Sequence, residues 1–538
     1  MKYVIGISSD QINSVATLVD TTGLIHAHYY EYNFSHVVGD RSWPYQAIEA
    51  CKRHINQQDD VTYVYHERPW RKFFRRTWHN FKDRKQHYDQ ARKIKEFPGL
   101  EFIDHEISQA TAACVMSPYM QCQWINIDLA GEWAGASWGI FDRENGAQVH
   151  ETINYPNSPT MFLYAMTKWL GLTPNMNATM LEEIALTGQP RMYHLLTKML
   201  KIDQNGVMHS PSDMSHSIEY YLGRDYNLSD YVDWCASVYY VYSDMIYSLV
   251  KHVISVSKQP EWPMVLTGIG AQNGYMIRHL IQKDIIPRLW LPTDPTDGAN
   301  SLGAAFAYLK QYNTPNQSTF VGNRISEKGE ISTLLLREVT AALSNNKVVA
   351  WIQDNLPMSS RTLGQCSLLA SPTSIKNTEK INKINKKHNL INVHACALGV
   401  YAEDVYRGKI LNYRHNPVSV RNTEVFEGLT NEPDSCYVHK VYQDQPSLYK
   451  LLNHWYDVTN HPVLLCQDWL TTDQTPITTR KTAVTQFSYS DDIDILVIGN
   501  TMYTKEEKPG LDDQKYYIES RDFSNYDRNI NRLFNVSE

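Results

Sequence analysis

Apolar residues fall in short runs from the start of this chain, and each run ends at Gly, Ser, Asp or Asn. Tyr3 to Ser8, Ser14 to Val19 and Leu24 to Tyr30 read as a meander of strands, with Asp20-Thr21-Thr22-Gly23 as a turn. Pro44 to His54 has helical spacing. Val61 to Tyr65 and Glu101 to Ile103 are strand-like, and a helix is predicted from His105 to Cys114. Trp124 to Asp128 and Trp138 to Phe141 are predicted strands around a Gly-rich turn. Residues 158–258 read mostly as helix, with Tyr and Met stripes that suit helix packing. Met264 to Thr267 is a predicted strand and Gly274 to Ile281 a helix. The order βββαβα thus occurs twice around a helical insert, which predicts duplicated halves.

Polar, Asn-rich sequence at 313–330 marks a domain boundary. A second α/β unit starts at Ile331, with strands at Lys347 to Ile352, Val463 to Leu465 and Ile493 to Ile498. Ser374 to Asn392, rich in Lys, Asn and Ile, is expected to be mobile, and the tail after Lys508 is polar. The expected domains are residues 1–325 with the insert at 158–258, residues 330–505, and a tail at 506–538.

At 538 residues the chain is too long for one core. A net charge of −7 removes any global nucleic-acid signature. The eight Cys form no CxxC pair, which fits free thiols in a reducing cytoplasm. The opening MKYVIGISSD reads as a strand rather than a signal peptide. No window of about 18 apolar residues occurs, so no membrane span is expected. One local exception to the charge balance is Arg68 to Lys85, RPWRKFFRRTWHNFKDRK, with eight Lys/Arg among five Trp/Phe. That run suits nucleotide or nucleic-acid contact, or else a helix with one solvated face.

Two Gly/Ala-rich stretches, VLTGIGAQNG at Val265 and LPTDPTDGANSLGAAFAYL at Leu291, look like the phosphate-side loops of an actin-like ATPase fold. Further landmarks keep the same order. VIGISSDQINSVATLVD opens the chain, with Ile12 and Asn13 where relatives carry His-Asp and with Ser14 kept. YHERPWRKF at Tyr65, DHEISQATAAC at Asp104 and TGIGAQN at Thr267 follow. KVVAWIQDNLPMSSRTLGQCSLLASP at Lys347, VTNHPVLL at Val458 and DIDILVIG at Asp492 complete the series. In this order the chain resembles the O-carbamoyltransferase family. The resemblance implies an actin-like, duplicated N-terminal domain with a helical insertion and a YrdC-like α/β C-terminal domain. It also implies chemistry in two steps. The second domain makes carbamoyladenylate from carbamoyl phosphate and ATP, and the first moves the carbamoyl group to an acceptor hydroxyl.

The resemblance places a divalent metal (iron, manganese or magnesium) on a His-x-x-x-His helix and two Asp. Here those positions are His105, Gln109, Asp128 and Asp297. A Gln carbonyl is a much weaker ligand than imidazole towards iron or zinc. The bland alternative is that His105 and the two Asp cap helix and strand ends. Nucleotide contacts are implied at Ser14, Gly268, Gly270, Asn273 and Gly298, and at Ser367 in the second domain. For adenylation, Arg361 and Lys387 keep basic positions, while Asn355, Pro357, Cys366, Asn389 and Val393 replace charged or polar ones. Scaffold kept while charge is lost predicts a divergent or degenerate subunit. The partner would be an active carbamoyltransferase paralogue or a second copy of this chain, and the acceptor a small molecule or nucleotide. The alternatives are a non-catalytic scaffold for an active relative, and a nucleotide or nucleic-acid binding module. His66, His150 and His252 stand in no motif and are expected to be structural or exposed.

Overall fold

A strand that is apolar at successive positions must be covered on both faces. β1 (Lys2–Ser8) is of this kind, buried at every position after the first. It pairs antiparallel with β2 (Val15–Asp20), which pairs antiparallel with β3 (Ile25–Tyr30). β4 (Asp60–Tyr65) joins β1 in parallel and β5 (Glu101–Phe102) joins β4, giving the order β3-β2-β1-β4-β5. Tyr3, Ile5, Ile7, Leu18 and Ala27 pack on one face against Ala47 and Ile48 of the Tyr45–Lys52 helix. This computed structural model describes residues 2–10, 13–37, 39–71, 92–97, 99–171, 174–211, 222, 230–313, 317–385, 393–430, 435–471, 475–507 and 516–522.

The same plan is then repeated. β6 (Gln121–Ile127), β7 (Ala134–Asp142) and β8 (Gly146–Asn154) form a second antiparallel meander. An insert follows, with helices Pro159–Trp169, Pro174–Thr187, Tyr193–Thr197 and Tyr231–Val256 and a short ribbon of β9 (Lys201–Ile202) and β10 (Met208–His209). β11 (Met264–Thr267) and β12 (Leu289–Trp290) then join β6 in parallel, so the order is β8-β7-β6-β11-β12. Identical order and direction in both sheets make this unit a duplicated, actin-like fold. β8 was not anticipated, because its solvent-facing residues carry no apolar alternation.

Each half closes with a helix that packs on the other half. His105–Met116 follows β5 but lies on β6, β8 and β11, whereas Asn300–Leu309 follows β12 but lies on β1, β2 and β4. The helices cross backbone to backbone. A Cβ on Gly303 would lie 1.6 Å from the Ser108 carbonyl oxygen, and one on Gly6 would lie 1.8 Å from that of Ser301.

Under the second helix, His28 is fully buried and its Nδ1 lies 2.8 Å from Thr17 Oγ1, which is 2.6 Å from Ser301 Oγ. Burial drives the His28 pKa from 6.5 down to about 3. A depressed folded pKa contributes stability that is complete above pH 6.5 and is lost as the pH falls towards 3. Between pH 7 and pH 5 the native chain should lose about 2 kcal/mol more than His28→Gln. Urea titrations at the two pH values check this, and parallel losses would refute it.

The chain divides at residue 318, inside the boundary expected from the Asn-rich stretch, into residues 1–35 with 39–317 and residues 318–538 with 36–38. The second unit contains β13 (Val349–Ile352), β14 (Cys366–Ala370), β15 (Val393–Leu398), β16 (Tyr406–Arg407), β17 (Pro417–Val420), β18 (Cys436–Val441), β19 (Val463–Asp468), β20 (Ile495–Ile498), β21 (Thr501–Glu507) and β22 (Tyr516–Asp522). They form one mixed sheet ordered β16-β17-β18-β15-β19-β14-β13-β20-β21-β22. Alternate residues serve opposite faces: Val349 and Trp351 join the core under helices Thr333–Ser344 and Pro446–Thr459, and Ala350 and Ile352 join the other core. Two expectations change here. Ile375–Ile384 is a helix rather than a mobile stretch, anchored by Asn377 Nδ2 to the Ser371 carbonyl at 3.0 Å, while 386–392 lie outside the described residues. Part of the expected tail is β22, paired with β21.

Candidate functional site

The helix His105–Met116 begins at Asp104, whose carboxylate takes Arg68 Nη1 at 2.7 Å and Arg71 Nη1 at 3.0 Å. Buried Glu132 ties the same corner together. It accepts from the backbone N–H groups of Arg68 and His105 at 2.7 and 3.3 Å and from Arg71 Nη1 at 2.9 Å. The described start of the basic-aromatic run is thus spent on structural carboxylates. The rest of that run, residues 72–85, lies outside the described residues.

This corner fixes His105, which is buried. Its Nε2 lies 2.9 Å from Asp128 Oδ2, at the end of β6, and 3.5 Å from Asp297 Oδ1, just before the Asn300–Leu309 helix. The three ligand atoms lie within 4.8 Å of one another. Asp128 Oδ1 accepts from the Leu129 N–H at 2.9 Å, and Asn300 Nδ2 donates to Asp297 Oδ1 at 3.0 Å. One imidazole and two carboxylates, oriented by such neighbours, fit a divalent cation. Gln109 lies one helical turn on, but its Nε2 is 3.4 Å from the Pro295 carbonyl, so it borders the Asp297 loop through an amide donor.

The implied nucleotide positions have structural duties. The Ser14 N–H donates to the Asp40 carbonyl at 2.7 Å. Gly268 has φ 91°, and a Cβ there would lie 2.2 Å from the Ile127 carbonyl oxygen. The Gly270 carbonyl accepts from Tyr242 OH at 3.1 Å. Asn273 caps the Gly274–Lys283 helix, with Oδ1 accepting from the Met276 N–H at 2.8 Å. The Gly298 N–H lies 3.3 Å from Thr296 Oγ1.

In the second unit Arg361 is not aimed at open space. Its Nη1 donates to the Arg414 and Tyr413 carbonyls at 2.6 and 3.2 Å. The cation at the heart of this unit is Arg414, with a fully buried side chain. Its Nη1 donates to Asp468 Oδ1 at 3.0 Å, and its Nη2 donates to the Cys466 carbonyl at 2.8 Å and lies 3.2 Å from Cys466 Sγ. Asp468 Oδ1 also accepts from Thr362 Oγ1 at 2.7 Å, and Ser367 Oγ accepts from the Gly364 N–H at 3.1 Å. Burial pushes the Cys466 thiol up, but its contact with Cys396 and the Arg414 charge outweigh this and leave its pKa well below the usual thiol range. Lys387 lies outside the described residues.

The carbamoyltransferase N-terminus family profile matches residues 26–306 and the carbamoyltransferase C-terminus profile matches residues 340–505. The chain belongs to the carbamoyltransferase family. It is 22% identical to an uncharacterized protein of Synechocystis sp. over 96% of this chain and 99% of that one. It is also 22% identical to the nodulation protein NolNO of Sinorhizobium fredii, over 76% of this chain and 64% of that protein. Among solved structures, the activator of 2-hydroxyisocaproyl-CoA dehydratase from Clostridium difficile with bound ADPNP matches with a TM-score of 0.36 and 14% identity, over 58% of this chain and 95% of that one. HypF of T. kodakarensis matches with a TM-score of 0.36 and 12% identity, over 58% of this chain and 48% of that one.

Among the described residues no helix is long and apolar enough to cross a membrane.

Proposed function

We propose that this protein is a divergent carbamoyltransferase subunit. In this reading the second unit handles carbamoyl phosphate and ATP, and the first unit delivers the carbamoyl group to an acceptor hydroxyl. The observation that carries it is the convergence of His105, Asp128 and Asp297 inside the first unit. A divalent ion held there would supply Lewis-acid polarisation of the carbamoyl carbonyl. The chain's own contribution is orientation. Asn300 holds the Asp297 carboxylate, and Glu132 fixes the start of the His105 helix.

The subunit reading, with an active paralogue as partner, is favoured by Arg361. Its Nη1 donates to two backbone carbonyls, so part of its guanidinium supports the Arg414 loop. Pyrophosphate release from ATP and carbamoyl phosphate should be near background for the purified chain. Release, together with transfer of labelled carbamoyl, should depend on this chain when a relative with an intact His pair and Arg loops is added. Robust release by this chain alone would overturn the degenerate-subunit reading.

A further inference from the structure

His66, at the end of β4, is fully buried beside Glu67, which is also fully buried. Glu67 Oε2 lies 3.9 Å from His66 Nε2 and 3.9 Å from His105 Nδ1, and the three ligand atoms fall within 4.8 Å of one another. These separations exceed hydrogen-bond length. A tetrahedral ion with bonds of about 2.0–2.1 Å places its ligand atoms about 3.4 Å apart, so a small contraction around a central cation closes the set. His66 is already oriented. Asn300 Nδ2 lies 3.4 Å from His66 Nδ1, which leaves Nε2 on the Glu67 side with the Ser9 carbonyl 3.4 Å away.

We infer that His66, Glu67 and His105 form a transition-metal site of two imidazoles and one carboxylate, distinct from the His105–Asp128–Asp297 set. The two sets use opposite nitrogens of one ring: His105 Nε2 faces the aspartates and Nδ1 faces Glu67. Their chemistry differs. Two nitrogens favour zinc, cobalt or iron, whereas one nitrogen and two aspartates suit manganese or magnesium better. Asn300 touches both sets, through Asp297 Oδ1 and His66 Nδ1, so it couples their geometry. The inference builds on the metal centre proposed above but stands on its own residues. Ligation by His66 Nε2 requires the neutral ring to carry its proton on Nδ1, so Asn300 must present its amide oxygen rather than Nδ2 to that nitrogen.

The test is cobalt(II) titration of the full-length chain, read by visible absorption and calorimetry, with melting curves to confirm folding. The native chain should bind cobalt. His66→Gln and the near-isosteric Glu67→Gln should each weaken binding by at least about tenfold. Asp128→Asn removes the carboxylate 2.9 Å from His105 Nε2 and should weaken cobalt binding less than His66→Gln does. Unchanged cobalt affinity in both His66→Gln and Glu67→Gln would overturn the inference. So would loss of cobalt in Asp128→Asn with retention in His66→Gln, an outcome that supports the aspartate centre instead. Absence of cobalt binding by the native chain also overturns it, and leaves the carbamoyl-transfer reading to its own assay.

Discussion

Gly303→Ala should unfold the first unit or weaken it by more than about 4 kcal/mol, beyond the usual range for overpacking. The added Cβ would meet a backbone oxygen, Ser108 O, at 1.6 Å, and a backbone atom in a packed helix cannot rotate away. Relief requires the two crossing helices to separate. Ser108 lies one turn beyond His105, and Gly303 lies on the helix that follows Asp297, so separation also pulls apart His105 and the carboxylates. Melting of the variant measures the effect. Gly329→Ala, where a Cβ meets nothing within 4 Å, is the control and should change little.

Arg414→Met should destabilise the second unit by about 3–5 kcal/mol, because it leaves a largely buried carboxylate without its cation. Asp468 would keep Thr362 as a donor but lose the 3.0 Å bond from Arg414 Nη1, and the Cys466 carbonyl would lose its 2.8 Å bond from Nη2. Arg414→Lys should recover only part of the loss, since one ammonium cannot reproduce the fork that spans Asp468 and Cys466. Asp468→Asn in the Arg414→Met background should restore stability by removing the uncompensated charge. Denaturant unfolding of the single and double variants gives the coupling. Simple additivity would show that the pair contributes no mutual stabilisation.

Much of the architecture was legible because burial on both faces writes itself as apolar runs. β1, β4, β11 and the His105 helix were placed within a residue or two of their observed bounds. The division between units falls inside the Asn-rich stretch, although Thr319, Phe320 and Ser326 there are buried. The site was harder. His105, Asp128 and Asp297 were found through aligned motifs, and they meet. His66 stands in no motif and reads as structural, and it is buried at the end of a strand in the parallel pair beside the Ser9 carbonyl and Asn300. Arg414 was missed for a different reason. In sequence it is one arginine in a polar loop, and only a φ of 63° with the long reach into β19 takes it inside. The duties of Asn273 as a helix cap and of Arg361 as a loop support follow from geometry that spacing does not encode.

The exchange of closing helices between the two halves has a consequence for biosynthesis. Ser8 Oγ bonds the Asp297 carbonyl, and Thr17 bonds Ser301, across separations of 289 and 284 residues. The first strands to leave the ribosome therefore wait with one apolar face uncovered until Leu309 has emerged. Long-range closure of this kind is slow and leaves the nascent chain open to association with whatever is nearby. Neither half can ripen before the other, so the nascent first unit keeps apolar surface exposed over most of its own synthesis.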